Sequence, residues 1–312
     1  MRGIGRIYIV ILGLSMLGCK EVNEATLPVW SIALPAHFDE LPVPEENPMN
    51  QAKIDLGAHL FYDPMLSIDS SISCAHCHLA SLSFSDGEVK SIGIGDSLSQ
   101  RNAPVLVNLA YASSYMMDGG VPTLELQAVA PIMHEGEMGS DLFVVSDRLA
   151  KNENYQLLSK EAFGREIDAA VIAYSLAAFQ RSILSYQSKF DRVMEGDASF
   201  TESEQRGYDL FYSDSLNCSA CHSGVNFSDY SFYNLGLYQN DPDPGRWRIT
   251  ENESDRAKFK TATLRNIHYS APYMHDGSIE SLEEVIHFKM SGGIENPNKS
   301  DKFEGFYLDG AD

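Results

Sequence analysis

The sequence has 312 residues, 44% of them hydrophobic and 10% aromatic, and a formal net charge of −21. That length exceeds one small module and fits two compact domains, while the acidic field makes nucleic acid and anionic lipid surfaces poor partners. Beyond the first residues there is no apolar run near the length of a membrane span, no solenoid repeat and no low-complexity tract.

In chain order, Arg2 and Arg6 precede an apolar stretch, Ile7 to Leu17, ending in Gly18-Cys19. This is the pattern of an export signal over residues 1–18. Met16-Leu17-Gly18-Cys19 resembles a lipoprotein processing box, which makes Cys19 the expected lipid anchor; the alternative is simple cleavage with a spare thiol. Pro28, Pro35, Pro42, Pro44 and Pro48 then predict an extended surface arm over residues 19–48. From Met49 to Tyr62 the apolar residues Ile54, Leu56, Leu60 and Phe61 have helical spacing, stopped by Asp63-Pro64. The longest helical pattern runs from Asp168 to Met194, with Val171, Ile172, Leu176, Phe179, Ile183 and Leu184 on one face. Gly196 ends it, so domains of 49–196 and 197–312 are expected. Thr201-Glu202-Ser203-Glu204 reads as a capping box opening a helix over Glu202–Tyr212. Strand signals are few and short, so the expected fold is mainly α with long loops.

Cys74-Ala75-His76-Cys77-His78 and Cys218-Ser219-Ala220-Cys221-His222 both match C-x-x-C-H, the attachment motif of c-type haem. The two thiols can bond the two vinyl groups of one macrocycle, and the adjacent histidine then meets the iron. Zinc, a redox dithiol and structural disulfides are the competing readings. A histidine directly after both pairs, in an exported chain, favours haem. Leu60-Phe61-Tyr62-Asp63 and Leu210-Phe211-Tyr212-Ser213 precede the two motifs in similar settings, as a duplicated unit would leave behind.

The sequence resembles the bacterial di-haem cytochrome c peroxidase and MauG family. The resemblance rests on Leu56-Gly57 through Asp63-Pro64, Ser73 to His78, Ser91-Ile92-Gly93, Arg101-Asn102, Asp118-Gly119, Gln127, Glu137-Met138 and Cys218 to Gly224. It continues through Pro244-Gly245-Arg246, Leu264-Arg265-Asn266, Ala271-Pro272-Tyr273, His275 and Ser281 to Glu284. It implies a mainly α fold of two cytochrome c-like domains, each with one covalently bound haem. The N-terminal haem would react with peroxide, with Glu137 moving protons and Gln127 orienting the oxygen. His134, close by, is expected on the surface.

Three departures from the family bear on function. Ile94 stands where many members carry an iron-ligating histidine, so the first iron is expected to be open without prior reduction. Met117 stands where a tryptophan usually lies between the haems. Family members also continue into a closing helix beyond the point where this sequence stops, at Asp312. For the second iron the resemblance puts the sixth ligand at Met290 or Lys289, with Met290 preferred because a thioether suits an electron relay. The resemblance further suggests a calcium ion at Asn102, Ser270 and Pro272.

The activity so implied is reduction of hydrogen peroxide to water with electrons from a small redox protein, a cytochrome c or cupredoxin. The alternatives are MauG-like oxidation of an organic or protein substrate, and a non-catalytic di-haem electron carrier. The expected location is the periplasm or the cell envelope, as a lipoprotein; a dimer is one expectation for the assembly.

Overall fold

The computed structural model describes residues 30–308, so the expected export signal and Cys19 lie outside the described residues. The helices are α1 (Gln51–Tyr62), α2 (Cys74–Cys77), α3 (Leu124–Met133), α4 (Leu142–Leu149), α5 (Glu153–Phe163), α6 (Ala169–Ser182), α7 (Lys189–Met194), α8 (Glu202–Phe211), α9 (Trp247–Thr250) and α10 (Leu282–Ser291). Two strands of two residues each, β1 (Phe232–Tyr233) and β2 (Phe259–Lys260), pair antiparallel.

Helix α1 starts where the Asn50 side chain accepts from the Lys53 amide, and stops at Asp63 before Pro64 opens a short turn. Its apolar face, Leu56, Leu60 and Phe61, is buried against α6 through Val171, Ile172 and Leu176. Each such side chain contributes roughly 1.5–3 kcal/mol on burial. The two helices approach so closely at Gly57 that a Cβ there would lie 2.0 Å from the Ser175 carbonyl oxygen. Only glycine fits.

The described part of the arm, residues 30–48, carries no helix or strand and is clipped into the body rather than laid over it. Asn47 is buried and donates to Glu125 Oε1 and to the Tyr174 carbonyl; Met49 packs with Ile54 and Ala178. The long helical pattern from Asp168 is interrupted: α6 ends at Ser182 and α7 starts at Lys189. Asn108 takes the intervening backbone, donating its amide to the Ile183 carbonyl and exchanging side-chain bonds with Ser185. A capping box from Ser188 to Asp191 then reopens the helix. Ile183 and Leu184 are therefore linker residues. The capping box at Thr201 and Glu204 forms as its sequence implies.

The two halves repeat each other beyond the segments before the cysteines. Asn108 to Leu124 matches Asn266 to Leu282 without a gap. Both stretches begin with an asparagine in the left-handed region, continue into a single 3-10 turn, and then pair Tyr115 with Val121 or Tyr273 with Ile279. Each then passes Asp-Gly and a hydroxyl cap, Thr123 or Ser281, into a ten-residue helix, α3 or α10.

The halves are tied by buried charge. Arg265 of the second half donates both guanidinium ends to Asp191 at 2.8 Å, Asp191 is fully buried, and His37 of the arm meets the same carboxylate at 2.9 Å. Removing one member of such a pair leaves the other charge uncompensated. Asp191→Ala should cost about 3–5 kcal/mol, read as a fall in denaturation midpoint; no change would show that the pair does not hold the junction.

Candidate active site

Each C-x-x-C-H motif folds as one tight turn, α2 in the first half and a 3-10 turn over Cys218–Ala220 in the second. In both, the histidine amide donates to the carbonyl of the first cysteine at 3.0 Å, which groups two thiols and an imidazole. His78 Nδ1 lies 2.6 Å from the Phe84 carbonyl oxygen and His222 Nδ1 lies 2.9 Å from that of Phe227. A carbonyl only accepts, so each Nδ1 carries the proton and each Nε2 offers its lone pair, the arrangement of an oriented metal ligand. Burial holds both imidazoles below their ordinary pKa, hence neutral.

Burial pushes the Cys74 thiol up to about 12 and Cys77 to about 11. Cys218 and Cys221 are also raised by burial. Thiols so raised are poor redox nucleophiles. All four are free rather than paired in disulfides, and no cluster of three or more His, Cys, Asp or Glu side chains is placed to hold a bare metal ion among the described residues.

A cavity of about 940 Å³ lies at the second motif, lined by Cys218, Cys221 and His222 and reaching Met117 and Gln127 of the first half. The hydrophobic core clusters are built from the first half. In the second half, Leu216, Leu264, Val285 and Ile286 line the cavity instead. Apolar walls around two thiols and an oriented imidazole fit a covalently attached macrocycle. Gln127 Oε1 adds a buried acceptor with no hydrogen-bond partner.

Glu137 lies near the first motif, close enough for its charge to push the Cys74 and Cys77 thiols up. Pro131 helps place it. Carbonyls at the end of α3 accept from the loop, Pro131 from Met138 at 3.2 Å and Ile132 from Ser140 at 2.7 Å. From the other side, the Ile94 amide donates to the Glu137 carbonyl at 2.9 Å. Burial raises the Glu137 carboxyl above its ordinary pKa, against a smaller opposing pull from His134. His134 is exposed, with Nδ1 3.6 Å from Glu137 Oε1. Gln127, on α3, shares no hydrogen bond with Glu137 among the described residues.

At the second motif, Lys289 and Met290 take different positions around α10. On α10 the residues lining the cavity are Leu282, Val285, Ile286 and Lys289, one ridge at helical spacing, and Met290 is not among them. Burial lowers the Lys289 pKa to about 8. Asn102, Ser270 and Pro272 line one cavity, and Asn102 Nδ2 donates to the Glu88 carbonyl, leaving its Oδ1 available. Met117 also lines the cavity, and its carbonyl accepts from the Lys260 amide at 2.7 Å.

The motifs did not point to Lys260 or to the stacking role of His275. Burial brings Lys260 down to about 8, while His275 stacks on Phe259 with ring centroids 3.8 Å apart. The repeat was the available signal for His275, which matches Met117.

The family profile described as di-haem cytochrome c peroxidase matches residues 51–199. The chain is 38% identical to methylamine utilization protein MauG of Methylorubrum extorquens, over 88% of this chain and 80% of that one. It is 34% identical to cytochrome c551 peroxidase of Nitrosomonas europaea, over 78% and 75%. Among solved structures, a MauG-like protein associated with microbial copper homeostasis superposes with TM-score 0.86 and 32% identity, covering 90% of this chain and 91% of that one. With its two oriented C-x-x-C-H turns and these relatives along most of its length, the chain belongs to the di-haem cytochrome c peroxidase family.

Proposed function

We propose that the protein reduces hydrogen peroxide to water with electrons from a small redox protein, a cytochrome c or cupredoxin. The observation that carries this reading is the Glu137 carboxyl, held by backbone bonds near the first C-x-x-C-H turn, with Ile94 beside it. Residues 49–196 and 197–312 then each form a cytochrome c-like domain holding one haem. Cys74, Cys77 and His78 hold the first and Cys218, Cys221 and His222 the second. The bound haems supply redox-active iron for two electrons.

Two electrons and two protons turn one peroxide into two waters. Glu137 takes the proton from the near peroxide oxygen and returns it to the departing one. Gln127 offers its unpartnered Oε1 to accept a hydrogen bond from the peroxide and orient it. Asn102 Oδ1 with the Ser270 and Pro272 carbonyls supplies oxygen-only donors suited to a calcium ion. The leader carries the protein across the cytoplasmic membrane, with Cys19 as tether.

Ile94 has no lone pair, so the fully oxidised, haem-loaded protein should give a high-spin ferric signal and react with peroxide without prior reduction. Electron paramagnetic resonance before and after peroxide tests this. A wholly low-spin protein that stays inert until half-reduced would overturn the open-site reading.

The 38% identity to MauG and the open site at Ile94 favour a second reading, withdrawal of electrons from an organic or protein substrate. Turnover of peroxide with a reduced cytochrome donor separates the two: steady donor oxidation supports the peroxidase. Peroxide consumption with no donor oxidation supports the oxidase.

A further inference from the structure

The repeat of the two halves extends through their last matched helices. Leu124, Gln127, Pro131 and Ile132 on α3 correspond to Leu282, Val285, Lys289 and Met290 on α10. Ile132, the counterpart of Met290, is fully buried in the core of the first half. Lys289 instead ends the ridge that faces the cavity holding Cys218, Cys221 and His222.

The surroundings of this amine are unusual for a lysine. Asp301 and Glu304 line the same cavity, yet Lys289 forms no ion pair or hydrogen bond with either, or with any other group among the described residues. Its Nζ lies 4.7 Å from the centre of the Phe303 ring. A buried ammonium without an anion is costly. A neutral amine has a lone pair to give, and the chemistry in this cavity that takes one is the iron carried by His222.

We propose that Lys289 Nζ is the second axial ligand of the iron held by His222. The proposal rests on reading the second C-x-x-C-H turn as a haem site. It makes the second iron six-coordinate with two nitrogen donors, while the matching position of the first half, Pro131, has no donor side chain. An amine also gives a lower reduction potential than the thioether that methionine would supply.

The test uses the fully haem-loaded protein, with the haem count of each variant measured by pyridine haemochrome. Wild type should show a low-spin ferric signal beside the high-spin one, and should lack the weak far-red absorption of a thioether bound to ferric iron. Lys289→Arg keeps length and charge but has no lone pair to offer, so the low-spin signal should be lost. Lys289→Met should gain the thioether absorption and a higher reduction potential, and Met290→Leu should match wild type. A thioether absorption in wild type that Met290→Leu abolishes, or a low-spin signal that survives Lys289→Arg, overturns the proposal. A variant lacking Cys218 and Cys221 that still carries two haems would instead sink the haem assignment beneath it.

Discussion

Replacing Glu137 with glutamine should lower peroxide turnover by about 10²- to 10⁴-fold while two haems stay bound, because general acid–base help at a reacting group is of that size. The variant keeps shape and hydrogen bonding but cannot accept a proton. The native loop should survive, since it is held by backbone bonds from Ile94, Met138 and Ser140 rather than by the carboxylate. Only the ionised carboxylate can take the first proton, and burial raises the pKa of this group. Turnover should therefore fall as pH drops through that raised value, and Glu137→Gln should remove this limb of the profile. Gln127→Ala should cost less, as it orients oxygen without moving a proton. Unchanged turnover in Glu137→Gln would show that peroxide reduction does not depend on this carboxylate.

Changing Cys218 and Cys221 together to alanine should leave one covalent haem per chain, measured by denaturing mass spectrometry. The apolar side chains of the second half line the cavity instead of joining the core clusters. Loss of the macrocycle should thus also lower the denaturation midpoint of that half. Two haems retained, or zinc found in their place, would refute the assignment.

Much of this architecture was legible from local chemistry. The C-x-x-C-H spacing, the stop at Asp63-Pro64 and the capping box at Thr201 are encoded within a few residues, and each forms where its sequence implies. Tertiary demands were harder to read. Residues 183–188 carry apolar spacing fit for a helix but serve Asn108, distant in sequence, and nothing local announces that. Met290 was preferred over Lys289 on the chemistry of sulfur, while α10's cavity-facing ridge runs through Lys289. In the repeat, Met290 falls at the place of Ile132, a core residue, and Lys289 at that of Pro131.

The junction at Asp191 has a kinetic meaning of its own. Electron tunnelling slows steeply with distance, so a hinge between the halves would make passage from one iron to the other erratic. Arg265 grips Asp191 with both guanidinium ends, His37 closes on the same carboxylate, and Arg101 spans Asp118 and Asp243 at 2.7 Å each. Arg265–Asp191 and Arg101–Asp243 cross between the halves, and His37 and Asp118 brace them from the arm and the first half. With a haem held at each C-x-x-C-H turn, such ties would set the interval between the two irons by the fold rather than by a chance encounter of moving parts.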